Sequence, residues 1–278
     1  MNYINFCEII FEQNNIYEVL ELIKVGVTGA LGRMGQEVVK AVVKDDETAL
    51  VCAVDKLETG KNVFENINIE SDIVKSIEVN KPDVIVDFTE PSVVFENAKL
   101  YLKNKVKPVI GTTGLTDEQI EELRKLSAEN NTGCLIAPNF ATGAVLMMMF
   151  AKMAAKYFNN AEIIELHHNQ KKDAPSGTAI KTAKMMAEAN SDFKMGNIKD
   201  TELIQGARGA ESFGNINIHS VRMPGFVASQ EVIFGANGQV LTIKHDTSNR
   251  ECFMPGVILA IKHVYKENDF VFGLENIL

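Results

Sequence analysis

Residues 23–43 constrain the fold more than any other stretch. Ile23 to Thr28 is a short apolar run with strand character, it passes directly into Gly29-Ala-Leu-Gly32-Arg-Met-Gly35, and Gln36 to Val43 then reads as helix. Strand, glycine turn and helix in that order open a dinucleotide-binding sheet. The glycines let the backbone turn sharply, approach a pyrophosphate and pack the helix against the strand. The spacing is Gly-x-x-Gly-x-x-Gly rather than Gly-x-Gly-x-x-Gly, so the turn alone is a weak signal and needs a second one. Ala49 to Val54 supplies it as a second strand ending at Asp55, twenty residues beyond Gly35, where a carboxylate can accept from the hydroxyls of an adenosine ribose. Lys56 comes next and offers a cation to a 2′-phosphate, which leaves NADH and NADPH both open.

Three more strands end in the same manner. Asp83 to Phe88 ends at Thr89, with Pro91 placed to open a helix. Lys107 to Ile110 ends in Gly111-Thr112-Thr113-Gly114, and Thr116 with Gln119 forms a capping box for a helix through Leu126. Gly133 to Ile136 ends in Ala137-Pro138-Asn139-Phe140. In a doubly wound parallel sheet all these ends share one edge, and ligands bind there.

Beyond residue 140 the pattern changes. A helix near Val145 to Phe158 carries Met147, Met148, Met149 and Met153 as core filler, and four strand-like runs come after it at Ala161–Leu166, Asn215–Arg222, Glu231–Phe234 and Gln239–His245. The last two flank Asn237-Gly238, a tight-hairpin signal. His219 and His245 fall on these strands and read as packing or hydrogen-bonding residues. The expected fold is α/β: an N-terminal Rossmann-like doubly wound parallel sheet plus a C-terminal α+β domain with a mixed, largely antiparallel sheet. The first domain takes residues 1–140, of which 1–22 are an extension read as an appended helix or a misplaced start. It is completed by the region 248–278, whose helix, roughly Asn249 to Tyr265, is expected to kink at Pro255. Residues 141–247 form the second domain.

A formal charge of -9 with no basic stripe argues against nucleic acid as partner. Cys7, Cys52, Cys134 and Cys252 lie far apart, with no Cys-x-x-Cys pair to hold zinc and no disulfide framework, which fits a reduced cytoplasm. The longest apolar stretch, Ala141 to Ala151, is too short to span a membrane, and the first 22 residues lack the basic start of a secretory signal.

The chemistry concentrates in Glu165-Leu-His-His-Asn-Gln-Lys-Lys-Asp-Ala-Pro-Ser-Gly-Thr178, where the run Ala161–Leu166 stops. His167 and His168 can give or take a proton near neutral pH. Lys171 adds an ammonium that can hold an anion or protonate a nitrogen. Ser176 stands at the N-cap of a helix through Met186, so Ser176 to Thr178 offer free N–H groups and a positive dipole end to a carboxylate or phosphate. A cofactor domain beside proton donors and an anion seat suits reduction of a polarised C=N or C=C bond on a small acid.

At these residues the chain resembles the dihydrodipicolinate reductase family, the 4-hydroxy-tetrahydrodipicolinate reductases of diaminopimelate and lysine biosynthesis. The resemblance rests on Gly29–Gly35, Asp87-Phe-Thr89, Gly111–Gly114, Pro138-Asn-Phe140 and the long Glu165–Thr178 element, and it covers the chain from Ile23 onward. It implies that His167 is the catalytic acid/base and Lys171 the proton donor, while His168, Gly177 and Thr178, with Ser176 beside them, bind a cyclic dicarboxylate. It further implies that Gly29, Ala30, Leu31, Gly32, Arg33, Met34, Asp55, Lys56, Gly111, Thr112, Thr113, Ala137, Pro138, Asn139 and Phe140 line NADPH or NADH, with Thr89 near its ring. A homotetramer built through the second domain, and no metal, are implied as well. Arg222 to Glu231 departs from the family wording, so no role is expected for that segment. Another two-domain dehydrogenase, such as an aspartate or homoserine dehydrogenase, would share the first domain without needing the His-His-x-x-Lys arrangement. A dinucleotide-binding sensor would bind cofactor without substrate-dependent oxidation.

Overall fold

The computed structural model describes residues 21–193 and 201–278. The extension read at residues 1–22 therefore falls, except for its last two residues, outside the described chain. In chain order the first elements are β1 (Ile23–Thr28), α1 (Arg33–Lys44), β2 (Thr48–Val54), β3 (Asn62–Phe64), β4 (Ile67–Glu70), α2 (Ile73–Asn80), β5 (Val84–Asp87), α3 (Val94–Lys103), β6 (Lys107–Ile110), α4 (Asp117–Asn130) and β7 (Cys134–Ile136). Next come α5 (Thr142–Ala155), β8 (Asn160–His167), α6 (Gly177–Ala189), β9 (Ala210–Glu211), β10 (Asn217–Arg222), β11 (Ala228–Ala236), β12 (Gln239–Thr247), α7 (Met254–Lys266) and β13 (Phe270–Phe272). The chain divides into two compact units, one running to Pro138 and joined by Val257–Phe272, the other comprising Asn139–Gly256 and Gly273–Leu278.

The first unit holds an eight-stranded sheet of order β13-β7-β6-β5-β1-β2-β4-β3, parallel except where β3 meets β4. A parallel sheet is covered on both faces, so its central strands are buried along their length and mostly apolar. β5 is buried at every position and β1 at all but Lys24. After β1 the chain builds outward through β2 and β4, then returns to lay β5 on the other side of β1. That reversal is the topological switch point, where loops at the carboxyl ends part to leave a crevice.

The second unit holds a mixed five-stranded sheet, β12-β11-β8-β10-β9, in which only β8 and β10 run parallel. On one face Ile163, Ile218, Val232 and Phe234 pack with Ala179, Ala183 and Met186 of α6 and with Ala151 and Ala155 of α5. Small residues on both helices let them approach the sheet closely.

Several local expectations are corrected. Pro91 lies in the turn ahead of α3, whose N-cap is Val93. Pro255 occupies the first turn of α7, after a separate 3-10 turn Arg250–Phe253, and there its missing N–H breaks no helical hydrogen bond. It opens a helix rather than kinking one. Met147 and Met148 are core residues, but Met153 is 59% exposed on the outer face of α5, beside Leu146, Phe150 and Tyr157 at helical spacing.

A Cβ at Gly35 would collide with the Gly29 carbonyl oxygen, so the first turn of α1 packs on the turn after β1 only because residue 35 has no side chain. Gly35→Ala is expected to cost about 1–3 kcal/mol of stability, read as a lower urea midpoint at unchanged slope. An unchanged midpoint would show that the contact has room to relax.

Candidate functional site

At the switch point the glycine turn does three things. Gly29 adopts φ +73°, where a Cβ would meet the Phe88 carbonyl oxygen at 2.5 Å. Gly32 is the N-cap of α1 and provides no side-chain cap, and the first turn carries no acidic residue. The N–H groups of Arg33, Met34 and Gly35 find no acceptor among the described residues, the first helical bond being Gln36 N to Gly32 O at 3.0 Å. Unpaired donors at a positive helix end are an anion seat. A cleft of about 560 Å³ opens beside it, walled by Gly29, Leu31, Gly32, Asp55, Lys56 and Thr89 among others.

Asp55 closes the turn. Its carboxylate accepts from Leu31 N at 2.9 Å and from Leu57 N at 3.0 Å, and each oxygen keeps a lone pair for another donor. Arg33 and Lys56 are exposed, and neither forms an ion pair among the described residues. These features fit an extended dinucleotide: a backbone cradle for the pyrophosphate, an acid for a diol and two cations for a further phosphate.

Thr89 is held by a buried acid. Asp87, with no exposed surface, accepts from Thr89 N at 2.9 Å, Thr89 Oγ1 at 2.6 Å, Asn97 Nδ2 at 3.1 Å and the Tyr101 hydroxyl at 2.9 Å, and Thr112 Oγ1 lies 3.3 Å away. Five neutral donors replace the water this carboxylate has lost. Burial, with the adjacent Asp87 charge, raises the Tyr101 hydroxyl well above its ordinary pKa, so it stays a donor.

The remaining expected cofactor residues are placed differently. Ala30 is buried under the turn, and Gly111, Thr112 and Thr113 come after β6, outside the cleft lining. Gly111 has no room for a Cβ against the Phe88 ring. Ala137 and Pro138 come after β7, whereas Asn139 and Phe140 belong to the second unit, Asn139 Oδ1 accepting from Ala141 N at 2.9 Å.

In the second unit the site grows from the strand register. Residues directly opposite one another share a face. The row Ile218–Ile163–Val232–Ile243 is apolar. Two residues on, the same face carries Ser220–Glu165–Gln230–His245, and the next row pairs Arg222 and Ala228 with His167. The core thus turns polar within one step of the pleat.

Glu165 has no exposed surface, and every one of its contacts builds the site. His167 Nδ1 lies 2.5 Å from Oε2, Arg222 donates Nη1 to Oε2 at 2.8 Å and Nη2 to Oε1 at 2.7 Å, and Ser176 N donates to Oε1 at 3.2 Å. Arg222 Nη2 also donates to the Asp173 carbonyl at 2.8 Å. Burial alone would raise the Glu165 carboxyl, but donors on Arg222, Ser220 and His167 outweigh it and hold the group below its ordinary range. Burial lowers the His167 imidazole, with the Lys171 and Arg222 charges adding to the effect and Glu165 opposing it. A neutral ring that donates Nδ1–H to Glu165 leaves Nε2 as its proton-accepting nitrogen.

Lys171 Nζ lies 2.8 Å from both oxygens of the exposed Asp173, and Asp173 is lowered by that contact. His168 Nδ1 accepts from Gln170 N at 3.2 Å. Ser176 caps α6 by accepting from Ala179 N at 3.2 Å, while the N–H groups of Gly177 and Thr178 find no acceptor among the described residues. A Cβ on Gly177 would meet nothing, so the space over this helix start is open. Gln230 Nε2 donates to Thr182 Oγ1 at 2.8 Å, and that hydroxyl donates to the Thr178 carbonyl at 2.8 Å, bracing the first turn from below.

Asp87, Glu165, Arg222 and Gln230 also belong to these clusters, and no role is expected for them from sequence. Glu165 had a legible signal, an acid at the inward position two residues beyond Ile163. Arg222 had none, because it joins the cluster only through the parallel pairing of β10 with β8.

Similarity to known proteins covers both units and breaks near residue 140. The family described as "Dihydrodipicolinate reductase, N-terminus" matches residues 23–140, and "Dihydrodipicolinate reductase, C-terminus" matches residues 143–278. A 4-hydroxy-tetrahydrodipicolinate reductase from Listeria innocua is 52% identical over 262 residues, covering 92% of this chain and 99% of its own. One from Geobacillus kaustophilus is 50% identical over 263 residues, covering 92% and 99%. The solved dipicolinate-bound dihydrodipicolinate reductase from Paenisporosarcina sp. TG-14 superposes with TM-score 0.86 at 47% identity, covering 93% of this chain and all of that one. On these matches, spanning both halves of the fold, the chain belongs to the dihydrodipicolinate reductase family.

Proposed function

We propose that this chain reduces 4-hydroxy-tetrahydrodipicolinate to tetrahydrodipicolinate in the diaminopimelate route to lysine, the first unit holding a nicotinamide dinucleotide and the second the dicarboxylate. The observation that carries the reading is the joining, through Glu165, of a carboxylate-bound histidine to the start of α6 with its two unpaired N–H groups, while Arg222 ties the Lys171–Asp173 pair to the same carboxylate. An anionic ring substrate needs donors for its carboxylates and a proton source for its ring, and this cluster offers both.

Loss of water from the substrate leaves a conjugated imine, hydride addition at ring carbon 4 leaves an enamide anion shared between the ring nitrogen and the neighbouring ring carbon, and that anion takes one proton at the carbon to give the imine product. A bound nicotinamide dinucleotide supplies the hydride. Gly177 and Thr178 N–H, with the Thr178 hydroxyl, seat one carboxylate, His168 and Ser176 flank it, and Lys171 donates the proton. His167, neutral and oriented by Glu165, accepts and relays protons through Nε2. On the cofactor side the α1 N-terminus and Gly29–Met34 hold the pyrophosphate, Asp55 the ribose and Thr89 the ring face. Gly111–Thr113 and Ala137–Phe140 extend this wall. Arg33 and Lys56 admit a 2′-phosphate, so NADH and NADPH both serve.

The second-unit sheet also builds a cytoplasmic homotetramer. Its strand β12 leaves Val240 and Leu241 exposed at 71% and 38%. Light scattering on the full chain is expected to give four copies, and Leu241→Asp fewer; a wild-type monomer overturns this part.

Cofactor oxidation monitored with freshly made 4-hydroxy-tetrahydrodipicolinate tests the whole reading. Turnover is expected with either nucleotide, and cofactor binding without turnover overturns it. Lys56→Ala should raise KM for NADPH about tenfold, the value of one charge-assisted hydrogen bond, with NADH little affected. His167→Ala and Lys171→Ala should lower kcat by about 10²–10⁴, whereas Thr178→Val should mainly raise the substrate KM. Wild-type turnover in both of the first two variants would remove those groups from the mechanism.

A further inference from the structure

Glu165 lies one row from His167 on the side of the apolar core, and Arg222, in the row of His167, reaches back to it; the chemistry proposed above does not use them as a pair. Glu165 is fully buried and Arg222 partly so, with side-chain exposures of 0% and 19%. A buried ion pair does not justify itself by stability, because replacing one with apolar residues of similar volume is often neutral or favourable. The position of this pair points to another use. One carboxylate oxygen faces His167 Nδ1 at 2.5 Å and the other takes Ser176 N, while the guanidinium reaches past the carboxylate to the Asp173 carbonyl at 2.8 Å. Asp173 is the residue whose side chain holds Lys171. The pair therefore touches the support of both proton groups and the cap of the helix that seats the substrate.

We propose that Glu165 and Arg222 are a positioning dyad: the carboxylate fixes His167 as the Nδ1–H tautomer with Nε2 turned to the reaction, and the guanidinium counterbalances the charge of that carboxylate while pinning the Lys171–Asp173 loop to β10. This rests on the acid–base role given to His167 above. An unneutralised carboxylate at this distance would draw a proton onto the imidazole and leave it a resting imidazolium. Arg222, bidentate on the same two oxygens, offsets that pull. The charged groups facing the ring are Glu165 on its own strand, Arg222 from β10 and Lys171 from the loop after β8, the last paired with Asp173. The neighbouring strand contributes Ala228, and α6 contributes the Ser176 backbone. The cationic charge on this set outweighs the anionic unless Glu165 is ionised, so the balance hinges on the dyad.

Each substitution has a definite sign. Burial already places the His167 midpoint below its ordinary value, so the ring is neutral at pH 7 and gains its charge only as pH falls. Glu165→Gln removes the anion that favours imidazolium and leaves Arg222 in place, which moves the midpoint lower. Arg222→Gln removes the cation and leaves the anion, which moves it higher. Loss of packing alone would not drive the two in opposite directions.

The experiment is nitrogen-detected NMR of histidine-labelled full chain across pH, with His167 assigned by its absence in His167→Gln, alongside kcat and KM for the same proteins. Expected are a wild-type Nδ1–H tautomer, opposite shifts of about one pH unit in the two variants, and a kcat loss of roughly ten- to a hundredfold in Glu165→Gln. Substrate KM should change much less, and Glu165→Asp should recover part of the rate. A wild-type Nε2–H tautomer, or shifts of the same sign, overturns the dyad. If either Gln variant fails to fold, the wild-type tautomer and the rate of Glu165→Asp decide the matter: an Nε2–H tautomer, or a Glu165→Asp rate equal to wild type with that tautomer, overturns the dyad. Full turnover in His167→Gln instead overturns the acid–base reading itself, a failure distinct from a wrong tautomer beside a dead His167→Gln.

Discussion

A carboxylate cut off from water must be surrounded by donors, and in this protein two such carboxylates organise the two units. Asp87 ends the central strand of the first sheet and Glu165 lies one row from the end of a central strand of the second, both without exposed surface. Each is expensive to leave unsatisfied, by several kcal/mol for an unpaired charge. The loops after these strands are held where their N–H and side-chain donors meet that demand. The geometry of the site is in this sense a by-product of solvating two buried acids.

The two acids are satisfied differently. Asp87 has only neutral partners, so its surroundings present hydroxyls and amides to the cleft without adding a fixed positive charge next to it. Glu165 has a guanidinium and an imidazole, so its surroundings hold charges whose balance decides protonation states. The first arrangement suits recognition of a cofactor surface. The second suits proton transfer, where the energy of a charge is the variable being controlled.

Most of the fold was legible in the sequence because parallel strands buried on both faces write themselves as uninterrupted apolar runs. The strand Ile23–Thr28, the capping box Thr116–Gln119 and the Ser176 cap stand where local rules put them. The misses have a common cause. The segments β3, β4 and β13 have four residues or fewer and lack a long apolar run, and α2, only eight residues long, was passed over with them, so periodicity had little to measure. Pro255 was misread because a proline at the start of a helix and one inside it look alike until the helix boundary is known. At the site, the motif Glu165–Thr178 carries the titratable side chains that the structure gathers around Glu165, but Arg222 and Gln230 are about sixty residues away in the chain and join them only through sheet pairing. Long-range partners of that kind have no local signature.

The change from apolar to polar across a single pleat step has a consequence for how this chain can vary in length. Because facing alternates with every residue, inserting or deleting one residue in β8 between Ile163 and Glu165 would turn the buried acid outward and an apolar neighbour inward, dismantling every contact at once. The hairpin at Asn237-Gly238, joining β11 to β12 at their far ends, bears no such burden. Insertions between related chains should therefore collect at that turn, while the spacing from Ile163 to His167 stays at a fixed count of residues however freely the surrounding side chains drift.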